Sequence, residues 1–147
     1  MNNNSFTTTI AVAKSPEDVF NRITHDVAKW WGGQDLTGRT QKLNDEFIIH
    51  HPGAHYSKQR IVELIPNAKL VWLVTESTLY WLQKDQHEWE NTRMIFELST
   101  NGGQTRLHFT QEGLVPEKEC FALCSQGWNT VIKDYLFYLI TEGKAHF

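Results

Sequence analysis

The chain has 147 residues, a length suited to one domain, with 14 Lys and Arg against 17 Asp and Glu and a net charge of −3. That near-balance excludes a basic nucleic-acid footprint, and no apolar run reaches the roughly 20 residues a bilayer span needs. Aromatic residues make up 12% of the chain and include six tryptophans, so large rings must either fill the core or line a hollow within it.

The start, MNNNSFTTTI, lacks the basic and apolar regions of a signal peptide, so a cytoplasmic location is expected. Phe6, Thr8, Ile10 and Val12 then alternate with smaller or polar residues, the pattern of a strand with one buried face. Ser15-Pro16-Glu17-Asp18 supplies an N-cap, a proline at the first helical position and an acid three residues after the cap. Val19, Phe20, Ile23 and Val27 follow at helical spacing up to Trp30-Trp31, and Gly32-Gly33 is the expected stop of one or two short helices.

From Leu36 to Gln111 the punctuation is that of strands and tight turns. Pro52-Gly53 suits the centre of a type II turn, which pairs His51 with Ala54 and His50 with His55. Imidazoles at such a hairpin end are expected to be solvated rather than metal-bound. A three-residue connection at Pro66-Asn67-Ala68 aligns Val62 and Leu64 with Leu70, Trp72 and Val74 on one face. Carried back along the chain, that parity turns Phe47, Ile49, His51, Tyr56 and Arg60 inward, and any β-bulge would break it. An Asn101-Gly102 turn pairs Leu98 with Thr105, Phe96 with Leu107 and Met94 with Phe109, and sets Glu97 opposite Arg106. Between these hairpins, Thr78 to Asn91 reads as a loop or strand continuation over the sheet, carrying Tyr80, Trp81 and Trp89 among charges.

A long helical pattern runs from about Glu117 to Glu142 with Phe121, Cys124, Trp128, Ile132, Leu136 and Leu139 as its apolar stripe. Glu117 and Glu119 suit its N-terminal end, and Gly143 suits its stop. Cys120 and Cys124 fall one turn apart, where two reduced, apolar thiols are expected. No metal site and no cofactor motif is read from the sequence.

The organisation is α+β: a strand, short helices, a curved antiparallel sheet of about six strands, and one long helix to cover its apolar face. It resembles the helix-grip fold of the START-like (SRPBCC) superfamily. Ile61-Val62-Glu63-Leu64-Ile65-Pro66-Asn67, Leu70-Val71-Trp72, Glu88-Trp89-Glu90-Asn91-Thr92, Gly113-Leu114-Val115-Pro116-Glu117-Lys118-Glu119-Cys120 and Cys124-Ser125-Gln126-Gly127-Trp128 carry a closer likeness. They resemble the activator of 90-kDa heat shock protein ATPase homologue-like (AHSA) branch, over residues 1–147 as a single domain. The resemblance implies a fold in which many members hold a hydrophobic ligand between helix and sheet. Co-chaperones of this branch carry an additional N-terminal domain for which this chain has no room, so chaperone contact is not expected.

The leading functional expectation is a small-molecule binding domain whose hydrophobic or aromatic ligand lies between the sheet and the C-terminal helix. The rings expected to line it are Trp30, Trp31, Phe47, Tyr56, Trp72, Trp81, Phe96, Phe109 and Trp128, with Met94 among them. Arg60 is the candidate for a ligand carboxylate. A protein-interaction or stress-related module, anchored on Trp81 and Trp89, is the first alternative. The second is an acid–base cyclase or hydratase with His51 as general base and Tyr56 as neighbouring donor. A homodimer is open under all three.

Overall fold

A computed structural model describes residues 4–31 and 35–144. The first strand, β1 (Phe6–Val12), buries alternate residues as expected. In α1 (Pro16–His25) the Ser15 hydroxyl accepts the Asp18 amide at 3.1 Å, with Pro16 at the first helical position. A single turn, α2 (Val27–Trp30), follows and buries Val27 and Trp30. The glycine stop at Gly32-Gly33 lies outside the described residues.

Six further strands complete one antiparallel sheet: β2 (Leu36–Gly38), β3 (Glu46–His51), β4 (His55–Ile65), β5 (Lys69–Leu79), β6 (Arg93–Asn101) and β7 (Gln104–Glu112). The order is β1-β7-β6-β5-β4-β3-β2, so the chain meanders from β2 to β7 and β1 closes the far edge. The sheet has seven strands rather than about six because three residues at Leu36–Gly38 pair with β3. Across its concave face lies the C-terminal helix: α3 (Phe121–Thr130), a π-helical segment (Val131–Leu136) and α4 (Phe137–Glu142). Trp128, Ile132, Leu136, Leu139 and Ile140 are its buried stripe. Gly143 ends it in the left-handed region, where its amide donates to the Leu139 carbonyl at 2.9 Å.

Three registers differ from the sequence expectation. The β6–β7 turn is centred on Gly102 and Gly103, both at positive φ, so Phe96 pairs with Phe109 and Leu98 with Leu107. A two-residue hairpin of this kind needs positive φ at both central positions, and two glycines take it with less steric cost than Asn-Gly. The shift is two residues, so the apolar face is unchanged. Glu97 meets His108 instead of Arg106. At the β3–β4 turn the Ala54 amide still donates to the His51 carbonyl at 3.0 Å, but the ladder closes through His51 and His55 across three residues. Between β4 and β5 the Pro66-Asn67-Ala68 connection is as expected, with Leu64 opposite Leu70. A bulge then sets Ile61 opposite Trp72 and Glu63 opposite Val71, leaving Val62 unpaired.

Each of the last two differences shifts parity by one. They cancel on β3, where Phe47 and Ile49 are buried as expected. On β4 they do not cancel. Ser57, Gln59 and Ile61 face inward, and Tyr56 and Arg60 are turned to the opposite face.

The helix start also differs from expectation. Glu119 lies ahead of α3, and its carboxylate accepts the Gln83 and Lys84 amides, each at 3.1 Å. Cys120 and Cys124 form a disulfide, with Cα atoms 5.5 Å apart, rather than two free thiols. Cys120 sits at the N-cap rather than inside the helix, and that Cα separation is within the ordinary span of a disulfide. No helix among the described residues is long and apolar enough to cross a membrane.

Candidate functional site

Most of the predicted rings pack against one another under the helix. Trp30 and Trp72 stack with centroids 5.9 Å apart, Phe47 meets Trp72 edge-on at 4.9 Å, and Phe96 meets Trp72 at 4.8 Å and Phe109 at 5.0 Å. Met94 is fully buried in the same cluster. Offset and edge-on contacts of this kind are worth roughly 0.5–1.5 kcal/mol each beyond the area buried. These rings form a solid wall.

Trp31 and Trp128 are placed differently. Trp31 is half-buried, stacks on Trp72 at 5.8 Å, and turns its other side to a cleft between the helix and the sheet. The cleft has a volume of about 170 Å³ and is lined by Trp31, His55, Trp89 and Trp128, with Cys124 and Val131 from the helix. The four rings form a closed circuit. Neighbouring centroids are 6.0 Å apart for Trp31–His55, 5.1 Å for His55–Trp89, 6.1 Å for Trp89–Trp128 and 5.1 Å for Trp128–Trp31.

Two of these rings are held by one run of hydrogen bonds. Trp128 Nε1 donates to Gln111 Oε1 at 2.7 Å, Gln111 Nε2 donates to Thr92 Oγ1 at 3.0 Å, and Thr92 Oγ1 donates to the Trp89 carbonyl at 2.6 Å. Gln111 and Thr92 are both buried, so every link is shielded from water. Gly113, at φ +102°, keeps this run compact: a Cβ there would stand 2.9 Å from Thr92 Cγ2. The loop bearing Trp89 is tied down from the other side. Glu88 accepts the Glu119 and Cys120 amides, each at 3.0 Å, and Lys118 Nζ donates to the Glu88 carbonyl at 2.7 Å.

His55 is the imidazole of the cleft. Its Nε2 lies 2.7 Å from Ser57 Oγ on the inner face of β4. Burial, and then the neighbouring His51 and His50, push its pKa down to about 4, so the ring is neutral near pH 7. His51, the candidate base, sits at the exposed end of β3 with its Nδ1 3.0 Å from Asp35 Oδ2. Tyr56 donates to Glu76 Oε1 at 2.6 Å on the outer face; that hydrogen bond, chiefly, raises its pKa to about 12. Arg60, on the same outer face, does not point toward the cleft rings. Trp81 stands 37% exposed on the turn after β5, whereas Trp89 is 5% exposed, so the two do not make the exposed pair expected from sequence.

Sequence reasoning missed His55 and Trp89 as cleft residues. The bulge at Val62 hid the first, and the second lies in a loop with no periodicity to orient it. The described residues contain no group of three or more His, Cys, Asp or Glu able to hold a metal ion.

A curved antiparallel sheet gripping a C-terminal helix, with a ring-lined cleft where they part, defines a helix-grip protein of the START-like superfamily. Within it, the chain belongs to the family described as Activator of Hsp90 ATPase homolog 1-like protein, which matches residues 13–137. No curated protein matches the sequence significantly. Among solved structures, the Aha1 dimer from Colwellia psychrerythraea is 22% identical, with a TM-score of 0.77 over 96% of this chain and 98% of that one. CalU16 from Micromonospora echinospora is 13% identical, with a TM-score of 0.61 over 93% of this chain and 76% of that one. DynU16, described as a putative protein in the dynemicin biosynthetic locus, is 14% identical with a TM-score of 0.69, and the match takes in 98% of this chain but 49% of that one. At these identities the likeness shows the fold.

Proposed function

We propose that residues 1–147 act as one small-molecule binding domain that takes a flat, hydrophobic ligand at the cleft between the sheet and the C-terminal helix. The observation that carries this reading is the closed circuit of Trp31, His55, Trp89 and Trp128, four ring systems from four different elements meeting around one opening. An apolar cavity of roughly 150 Å³ holds benzene, so a cleft of about 170 Å³ takes the ring end of a ligand. A neutral His55 adds a polar edge without placing a charge against that ring. The dimer described for the Colwellia protein makes self-association the assembly to test, by sedimentation.

Titration with naphthalene, followed by tryptophan fluorescence, tests the cleft, with native mass spectrometry of freshly purified protein as a second reading. Saturable quenching at one molecule per chain is expected, weakened at least about tenfold in Trp31→Ala. Absence of quenching up to the solubility of naphthalene, together with no co-purified molecule, would end the reading.

A further inference from the structure

Behind the cleft, the inner face of the sheet is polar in a place where polarity has no structural use. His55, Ser57 and Gln59 follow one another along the inner side of β4, and Ser57 is paired with Ser77 of β5. Ser57, Gln59 and Ser77 are at most 1% exposed. Ser57 is engaged by His55, but Gln59 Oε1, Gln59 Nε2 and Ser77 Oγ have no hydrogen-bond partner among the described residues. Gln59 stands between Phe47 on one neighbouring strand and Val74 on the other, so neither can satisfy its amide. Two indole donors in the adjoining wall, Trp72 Nε1 and Trp30 Nε1, likewise lack a partner among the described residues. Buried polar groups are almost always paired, because an unpaired one keeps its full desolvation cost.

We infer that these atoms are the recognition end of the same ligand site, and that they select a neutral ligand carrying a carbonyl beside a hydrogen-bond donor, the edge of a lactam or cis-amide. This rests on the cleft reading above and specifies its ligand. A primary amide offers one donor face and one acceptor face side by side, the complement of a lactam edge. Ser77 and the two indoles add donors, which a carbonyl oxygen with two lone pairs can accept. The ligand end is neutral because no Asp, Glu, Lys or Arg is buried among the described residues, and an ionised group there would face an uncompensated desolvation cost.

Trp31 connects the two ends of the site. It meets His55 at the mouth, at 6.0 Å, and Trp72 inside, at 5.8 Å. Ser57, Gln59 and Ser77 lie beyond the present lining of the cleft, so a ligand reaches the row from His55 past Ser57 to Gln59 only if the half-buried Trp31 gives way. That path, four residues of strand, is roughly 13 Å long, the reach of a fused-ring ligand plus one side chain.

A matched pair of probes tests this: 2-quinolone, which carries the lactam edge, and naphthalene, which has the same two-ring outline without it. Affinities are measured by tryptophan quenching for the wild type, Gln59→Met and Ser77→Ala. The ratio of 2-quinolone to naphthalene affinity should fall at least about tenfold in Gln59→Met and about threefold in Ser77→Ala. An unchanged ratio in Gln59→Met, with naphthalene still bound, overturns this inference and leaves the cleft reading intact. Failure of both probes to bind the wild type removes both. Without probes, Gln59→Met should melt at the same temperature as the wild type or higher, since methionine fills the same space without an orphaned amide. A lower melting temperature would mean the amide is satisfied within the fold, and would also overturn the assignment.

Discussion

Two sets of aromatic rings of similar size sit a few ångströms apart in this protein and serve opposite ends. Phe47, Trp72, Phe96 and Phe109 are each at most 1% exposed and pack in a row, each ring against the next. Trp31, His55, Trp89 and Trp128 touch in a circuit and leave an opening along it. The first set lies on β3, β5, β6 and β7 of one sheet, whose spacing is fixed by the hydrogen-bonded ladder, so the rings interlock. The second set comes from a helix end, a strand end, a loop and the C-terminal helix, elements with no common repeat. Rings gathered from elements of unrelated geometry meet imperfectly, and a cleft results.

The contrast can be broken at its strongest point first. Phe96→Ala should cost about 3–5 kcal/mol in urea unfolding, while folded molecules keep naphthalene affinity within about twofold. A large loss of affinity per folded molecule would show that the two sets are not separable.

Next comes His55. In the unfolded chain its imidazole takes a proton near pH 6.5, but in the fold not until about pH 4. The unfolded state therefore binds more protons across that window. The stability this group contributes is complete above pH 6.5, is lost as the pH falls toward 4, and changes no further below it. The loss is at most about 3 kcal/mol. Unfolding curves at pH 7 and pH 4.5 should show a smaller difference for His55→Gln than for the wild type; an equal difference would place the imidazole in contact with water.

Gln111→Leu sharpens the comparison, because Gln111 ties two rings of the second set together, Trp128 directly and Trp89 through Thr92. It should cost about 1–3 kcal/mol by orphaning the Trp128 and Thr92 partners, and should weaken naphthalene binding as Trp128 and Trp89 lose their shared tether. Unchanged affinity would mean packing alone sets the two rings. Smallest of all, Trp81→Ala should move stability by no more than about 0.5 kcal/mol and leave the cleft unaffected, as measured by the same quenching titration.

How much of this was readable beforehand follows from where regular repeats hold. β1, α1, the Pro66-Asn67-Ala68 connection and the buried stripe of the C-terminal helix all follow from periodicity and cap chemistry that act locally. The apolar face of β6 and β7 survived a misplaced turn because the slip was two residues, an even number. The cleft was less accessible. A single unpaired residue, Val62, reversed the inward face of β4, exchanging Tyr56 and Arg60 for His55, Ser57 and Gln59. Such a bulge has no marker in Ile61-Val62-Glu63, three residues at home in any strand. Trp89 was equally hidden, since its position depends on Glu88 finding the amides of Glu119 and Cys120, more than thirty residues away.

The edge position of β1 bears on how the chain assembles. Thr9 Oγ1 meets His108 Nδ1 at a sequence separation of 99, so this strand cannot dock until β7 exists. The meander from β2 to β7 joins sequence neighbours through connections of at most thirteen residues, whereas the last seam waits on the longest loop in the molecule. A refolding intermediate with β1 undocked would leave the edge of β7 open to a strand from another chain. Losses during refolding should therefore rise with protein concentration, and adding excess synthetic Phe6–Val12 peptide should suppress them.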